Sequence, residues 1–260
     1  MTFELPSVDE QAIPWSEALA AVLGYARAQR DLRIKWTPSY PDGVTIKVRA
    51  YAYRVYDCVP PSEDDEFAWL DVLLVDGING KMDHAAITAL KDAADRAWPH
   101  VRTAIERADG RAFWELPEVE VGRRPPAGTT GEALEHAWRE CMQTDDVGVA
   151  LTHKLLHHKR PDLFPLIDGL TAPRLEPHTD GDVRLWGVVH RELRANAAEF
   201  AALERTFAEL MNEAEGDVRL TRLRLHDILL WLRAARKWKH AVGHGKATAE
   251  WARWQEGAAS

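Results

Sequence analysis

Cysteine is almost absent. Cys58 and Cys141 are the whole complement of a 260-residue chain. They stand far apart and without metal-ligand spacing, which excludes a disulfide scaffold and a zinc ribbon and leaves two reduced, buried thiols as the expectation. No apolar run approaches the ~20 residues that cross a bilayer. The opening Met1-Thr2-Phe3-Glu4-Leu5-Pro6 has neither a positive n-region nor an apolar h-region, so no secretory leader is expected and the cytoplasm is the expected compartment. A Walker loop, a dinucleotide glycine motif, His-Glu-x-x-His, a serine elbow and Cys-x-x-Cys are all missing. Their absence removes the common ATP, NAD and zinc-protease chemistries, and no cofactor is implied. Internal repeats and low-complexity segments are missing too. Positive charge is in deficit: 33 Lys and Arg stand against 41 Asp and Glu, a formal net charge of −8. That balance opposes broad affinity for nucleic acid, which depends on neutralising phosphates, although a local patch overrides an average.

What remains is the composition of a globular protein, 46% hydrophobic and 28% charged, long enough to bury a substantial core. Residues 1–14 read as a loose arm. Pro14-Trp15-Ser16-Glu17 opens a helix with Leu19, Val22, Leu23 and Ala26 inward. Val44 to Val48 alternates as a strand, a small β element in a mainly helical N-terminal part. Tyr51, Tyr53 and Tyr56 with Asp57 read either as walls of a pocket or as a core edge. Phe67 to Val75 fits strand or helix. Asp83 caps a helix reaching about Trp98, where Pro99 ends or kinks it. Pro117, Pro125, Pro126, Gly122 and Gly128 mark a boundary between lobes 1–128 and 129–260. Thr129 or Thr130 caps the next helix, with Glu132 placed for a capping box. Beyond it, Asp182 precedes a helix through Trp186, Val189 and Leu193. Phe200, Leu203, Phe207 and Leu210 mark another, broken by Gly216-Asp217. Val218 to Trp238 reads as one long helix with Leu225, Ile228, Leu229 and Leu232 inward. Its Arg/Lys stripe over 219–239 reads either as a solvated face or, with Trp231 and Trp238, as a hold on nucleic acid.

The chain is organised around 145–168. Asp145-Asp146-Val147-Gly148 reads as a tight turn whose glycine takes a positive φ. A helix follows from about Val149 and must stop by Arg160, because Pro161 disfavours helical geometry before it. Asp168 closes the apolar run Leu163 to Ile167, where it can cap the next helix. His153 and His157 lie one turn apart, a spacing that permits shared metal coordination. No third ligand is placed beside them, Asp162 and His178 being nominal, so hydrogen-bonded histidines are the expectation and no metal is assigned.

Turn, helix and delayed aspartate resemble the helix-hairpin-helix DNA glycosylase superfamily. Laying Asp146-Val147-Gly148 on that family's hairpin puts Asp168 on its catalytic aspartate without a gap, and Ala150 where bifunctional members carry a lysine. Lys154 to Asp168, with Leu223-Arg224-Leu225-His226-Asp227-Ile228-Leu229-Leu230-Trp231, are similar to an uncharacterised bacterial family with an oxoguanine-glycosylase-like fold. The resemblance covers roughly 130–240. Two departures stand out: Asp145-Asp146 replaces the usual Pro-Gly, and Gly169 and Leu170 follow Asp168 where the family places a histidine.

The resemblance implies a mainly α, glycosylase-like architecture and hydrolysis of an N-glycosidic bond, removing a base from a nucleotide, in DNA, by a monofunctional route. Asp168 is then the catalytic carboxylate, stabilising positive charge on the sugar. Tyr51, Tyr53, Trp186 and Trp36 are the candidate pocket aromatics for an extruded base. Gly148, Lys154, Lys159 and Arg160 are the candidate phosphate contacts, opposed by Asp145 and Asp146. The expected partner is weakly and salt-dependently bound nucleic acid or a nucleoside-like substrate, with no membrane. The alternative is a non-catalytic nucleic-acid or protein-binding module that keeps the scaffold.

Overall fold

A computed structural model of the chain describes residues 1–35, 39, 42–63, 65–78, 80–181, 183–215 and 220–259, with side chains of 212–215 and 259 left aside. Trp36, Asp182, the break at Gly216-Asp217 and Arg219 lie outside the described residues. The fold is mainly helical. In chain order come β1 (Thr2–Phe3), β2 (Ile13–Pro14), α1 (Trp15–Arg27), β3 (Gln29–Ile34), β4 (Val44–Arg49), α2 (Trp69–Leu74), α3 (His84–Ala108) and α4 (Thr130–Met142). There follow α5 (Val149–Lys159), α6 (Ala172–Leu175), α7 (Leu185–Ala195), α8 (Ala197–Glu215), α9 (Arg222–Ala234), α10 (Trp238–Lys246) and α11 (Ala249–Ala259). The strands form two antiparallel pairs, β1 with β2 and β3 with β4. No helix among the described residues is long and apolar enough to cross a membrane.

Capping follows the sequence closely. The Asp83 carboxylate accepts from the Ala86 amide at 2.9 Å. Thr129 Oγ1 accepts from the Glu132 amide, and Glu132 reaches back to the amide of Gly128 at 2.8 Å. Both arrangements satisfy donors that the first helical turn leaves free. Other expectations are corrected. Residues 1–14 are not a loose arm: Phe3, Leu5, Val8 and Ile13 are buried, and Ser7 donates to Glu192 through both its amide and its hydroxyl. Pro99 does not end α3, which runs on to Ala108. The stretch read as one helix from Val218 breaks between α9 and α10, where Arg236 takes a φ of +57°. Phe67 to Val75 resolves as the short helix α2.

The hydrophobic core runs through both halves of the chain, across the Pro- and Gly-rich boundary at 117–128. α3 packs along α4, and α1 packs along α10 and α9. In the α1–α10 contact the two backbones nearly touch. A Cβ on Gly24 would stand 1.8 Å from the carbonyl oxygen of Ala241, and one on Gly245 would stand 1.7 Å from that of Ala20. Only glycine lets two backbones meet this way. Gly24→Ala is therefore expected to force the helices apart and cost about 1–3 kcal/mol or more. Urea denaturation checks it, and an unchanged midpoint would contradict the packing described.

Candidate functional site

Helix α5 runs from Val149 to Lys159, the span expected from the turn and Pro161. The left-handed residue of the turn is Asp146, with φ +66°, and not Gly148, whose φ is −87°. Aspartate tolerates that region because its short side chain can bond locally. From Thr152 to Lys159 every residue of α5 is buried, so the helix is a central strut and not an amphipathic surface element. Its three histidines are held by carbonyls: His153 Nδ1 by Val149 O at 2.8 Å, His157 Nδ1 by Phe164 O at 2.7 Å and His158 Nε2 by Val59 O at 3.0 Å. His153 Nε2 also accepts from the Trp186 indole at 3.0 Å. Burial holds His153 neutral down to about pH 4 and His157 down to about pH 3.

Several residues meet around one cavity of about 250 Å³, lined by Tyr25, Tyr51, Lys154, Asp168, Arg224, Asp227 and Trp231 among others. That is room for roughly eight waters at ~30 Å³ each, or one flat heterocycle. Asp168 stands at its edge, half-buried. Its Oδ1 accepts from the amides of Leu170 at 2.8 Å and Thr171 at 3.0 Å. It thus caps the turn 169–171, while α6 itself starts four residues on, at Ala172. Oδ2 of Asp168 has no hydrogen-bond partner among the described residues, so capping leaves half of the carboxylate open.

Arg224 forms the wall opposite. It is buried, grips Asp57 through Nε and Nη2, donates through Nη2 to the Tyr25 hydroxyl at 2.7 Å and through Nη1 to Asp227. Its guanidinium lies over the rings of Tyr25 and Tyr56 at 5.5 and 5.3 Å. Burial opposes its charge, but Asp57 and Asp227 more than compensate and keep it cationic. Asp57 takes two of the guanidinium's contacts and Asp227 one, and Asp227 Oδ1 is buried without a partner among the described residues. Burial first, with the charge of Asp168 added and Arg224 opposing, raises the Asp227 carboxyl to about 7. Lys154 donates to the carbonyl of Ile78 at 2.8 Å, and burial lowers its pKa against the pull of Asp168 and Asp227. Tyr51 stacks on Tyr25 at 5.5 Å, sets its edge to Trp231 at 6.0 Å, and pairs its hydroxyl with His240 Nδ1 at 2.9 Å.

Of the residues singled out in sequence, the cavity gathers Asp168, Tyr51 and Lys154, with Trp231 from the basic stripe. Tyr53 is instead a core residue between Tyr25 and Phe207. Trp186 lines a second cavity with Trp138 and His153. Gly148 is exposed at the start of α5 and lines neither cavity. Lys159, read as a phosphate contact, is fully buried, with Nζ 3.1 Å from Asp71 and donating to the carbonyls of Ser62 and Glu66. Hydrogen bonds from Ser62 and Lys159 outweigh burial and hold Asp71 below the usual carboxylate range. Arg160 donates to the Lys159 carbonyl and lies over Trp98. The 219–239 stripe is divided: Arg222 pairs with Glu204, Arg224 is buried and Arg233 pairs with Asp9. Sequence alone gives Asp227 no role and counts Arg224 only in the basic stripe, whereas both line the cavity. Their signal was two charges one turn apart in a leucine-rich helix.

Residues 34–234 match a family of unknown function (DUF6308), and the chain belongs to that family. No curated protein and no solved structure matches the chain.

The neutral histidines make a pH prediction. Their folded pKa values lie below the ordinary 6.5, so their contribution is complete above about pH 6.5 and is lost as pH falls toward 4. Each adds a slope of up to about 1.4 kcal/mol per pH unit in that window. Urea titrations between pH 7 and 4.5 check this. A flat profile, or one that His157→Gln leaves unaltered, would count against buried neutral rings.

Proposed function

We propose that this member of the DUF6308 family hydrolyses an N-glycosidic bond, releasing a base from a nucleotide, with DNA as the nucleotide's source. The observation that carries the reading is one cavity lined by two carboxyl groups, Asp168 and Asp227, together with Tyr51 and Trp231. Fission of the bond leaves positive charge on the sugar, and a fixed carboxylate in a partly dry site stabilises it. Asp168 suits that role because two backbone amides hold its Oδ1 while Oδ2 remains available. The departing base takes the bonding electron pair and needs a proton on its nitrogen. Asp227, protonated below about pH 7, is the donor within the cavity. Water adds to the sugar carbon and gives its proton to Asp168, then to solvent. Stacking on Tyr51 and Trp231 holds the base.

The competing reading, a binding module that kept the scaffold, draws on the same Asp168 bonds, since capping alone explains Oδ1. Substitution separates the two. Asp168→Asn keeps a capping oxygen, so the thermal midpoint stays nearly unchanged, while base release from oligonucleotides carrying damaged bases falls by about 10²–10³ or more. Full activity in that variant would reject the catalytic role. In the active protein kcat/KM is expected to decline as pH rises through about 7, because Asp227 loses its proton there. Asp227→Asn should abolish that limb and lower the rate by about 10²–10⁴.

The reaction is monofunctional in this reading. Ala150 has no nucleophile, and the Lys154 amine, one turn on, is bonded to the Ile78 carbonyl. Borohydride added to the protein with abasic-site DNA is expected to trap no adduct. A covalent adduct that disappears in Lys154→Ala would show that the lysine attacks the sugar after all.

A further inference from the structure

The described cations of the 219–239 stripe divide evenly: Arg222, Arg224 and Arg233 are paired or buried, while Arg236, Lys237 and Lys239 are exposed at its end, next to a second group of exposed cations on a neighbouring ribbon. β3 and β4 form a two-stranded ribbon, register Gln29↔Arg49 to Ile34↔Val44, that carries solvent-exposed side chains on both faces. The ribbon springs from the cavity rim. Tyr25 lines the cavity four residues before β3, and Ala50 and Tyr51 line it directly after β4. The Ala50 amide donates to the Ala28 carbonyl at 2.9 Å and closes the ribbon's base. Tyr51 then reaches His240, which brings the corner between α9 and α10 to the same rim.

Charge concentrates on these two neighbours. Residues 29–49 and 235–240 hold eight Lys and Arg against two Asp, in a chain whose net charge is −8. Arg30, Arg33 and Lys35 on the ribbon and Arg236, Lys237 and Lys239 at the corner are exposed. None of the six has an acidic partner within ion-pair distance among the described residues. Asp31 is already paired with Lys47 at 2.7 Å. Cross-strand neighbours place Arg33, Lys47 and Arg49 on one face, while Leu32 and Ile46 share the other with Arg30.

We infer that the β3–β4 ribbon and the α9–α10 corner form a polyanion track that holds the phosphate backbone of a nucleic-acid strand across the mouth of the cavity. The inference rests on the reading of the cavity as a nucleotide-base site, and it makes the substrate a polymer and not a free nucleoside. Six unpaired cations flanking one opening supply the sequence-independent attraction that phosphate contacts give. A two-stranded ribbon is narrow enough to follow a groove or a strand. The rest of the surface, acidic by difference, repels the same ligand and confines it to this flank.

The test is fluorescence anisotropy of the full chain with undamaged single-stranded and duplex DNA oligonucleotides over a salt series. The variants are Arg30→Gln/Arg33→Gln/Lys35→Gln, Arg236→Gln/Lys237→Gln/Lys239→Gln, and a remote control, Arg102→Gln/Arg139→Gln/Arg205→Gln. Arg30→Lys/Arg33→Lys keeps the charge and guards against misfolding. Wild type is expected to bind at low salt. Each track variant should reduce the slope of log K against log salt by about 2–3 and weaken binding tenfold or more at ~50 mM salt. The control and the lysine variant should match wild type. Equal loss in the control, no binding by wild type at low salt, or binding to phosphatidylserine vesicles that DNA does not displace would each overturn the track. Release of base from free nucleosides without oligonucleotide binding would overturn it and leave the chemistry intact. Binding without base release from any substrate would do the reverse.

Discussion

A single buried guanidinium holds the candidate site together. Arg224 comes from α9, Asp57 from the segment after the β3–β4 ribbon and Tyr25 from α1, and their side chains close on one another away from water. Desolvating one cation and two carboxylates costs several kcal/mol per ion, and only dense hydrogen bonding offsets it. Asp57 and Tyr25 provide that density on one side. On the other, Asp227 contributes one bond and keeps an oxygen in reserve. The same asymmetry that fixes the wall of the cavity leaves a carboxyl there that holds its proton near neutral pH. Structural and chemical roles thus come from how one arginine divides its donors.

A second buried pair does comparable work at the other side of α5. Lys159 and Asp71 are both fully buried, and Ser62 bonds to each of them. This pair ties α5 to α2 and to the loop before it. Helix α5 is therefore gripped at its end by Lys159, at its middle by the Lys154–Ile78 bond and along its flank by three histidines that stay uncharged. Such a helix can present Lys154 to the cavity at a fixed height, which is what a site built on a rigid element requires.

Much of this was legible in sequence where local chemistry decides. Pro161 stops α5, Asp83 and Thr129 cap their helices, and Asp168 caps the turn 169–171, all through interactions spanning a few residues. Reading failed where distant partners decide. Lys159 and Arg160 look like surface cations until Asp71 and Trp98 are seen beside them. Tyr51 and Tyr53 are two residues apart, yet one lines the cavity and the other enters the core, because Phe207 lies across from Tyr53. The N-terminal fourteen residues have no periodicity, and it takes Glu192 and Asn196 to pin them. The family match adds a boundary to the chain and no chemistry, so the site rests on its own geometry.

The glycine crossing of α1 and α10 has a kinetic consequence. Gly24 meets Ala241, and Tyr25 meets Arg224, across most of the chain's length. Loop-closure entropy must be met before such contacts reward it, so this topology folds more slowly than a bundle of sequential hairpins. During synthesis, α1 emerges with its small-residue face bare and waits for α10 before that face is covered. The cavity wall is assembled from the same two ends of the chain, so it comes into being late, as a product of global closure and not of any local unit.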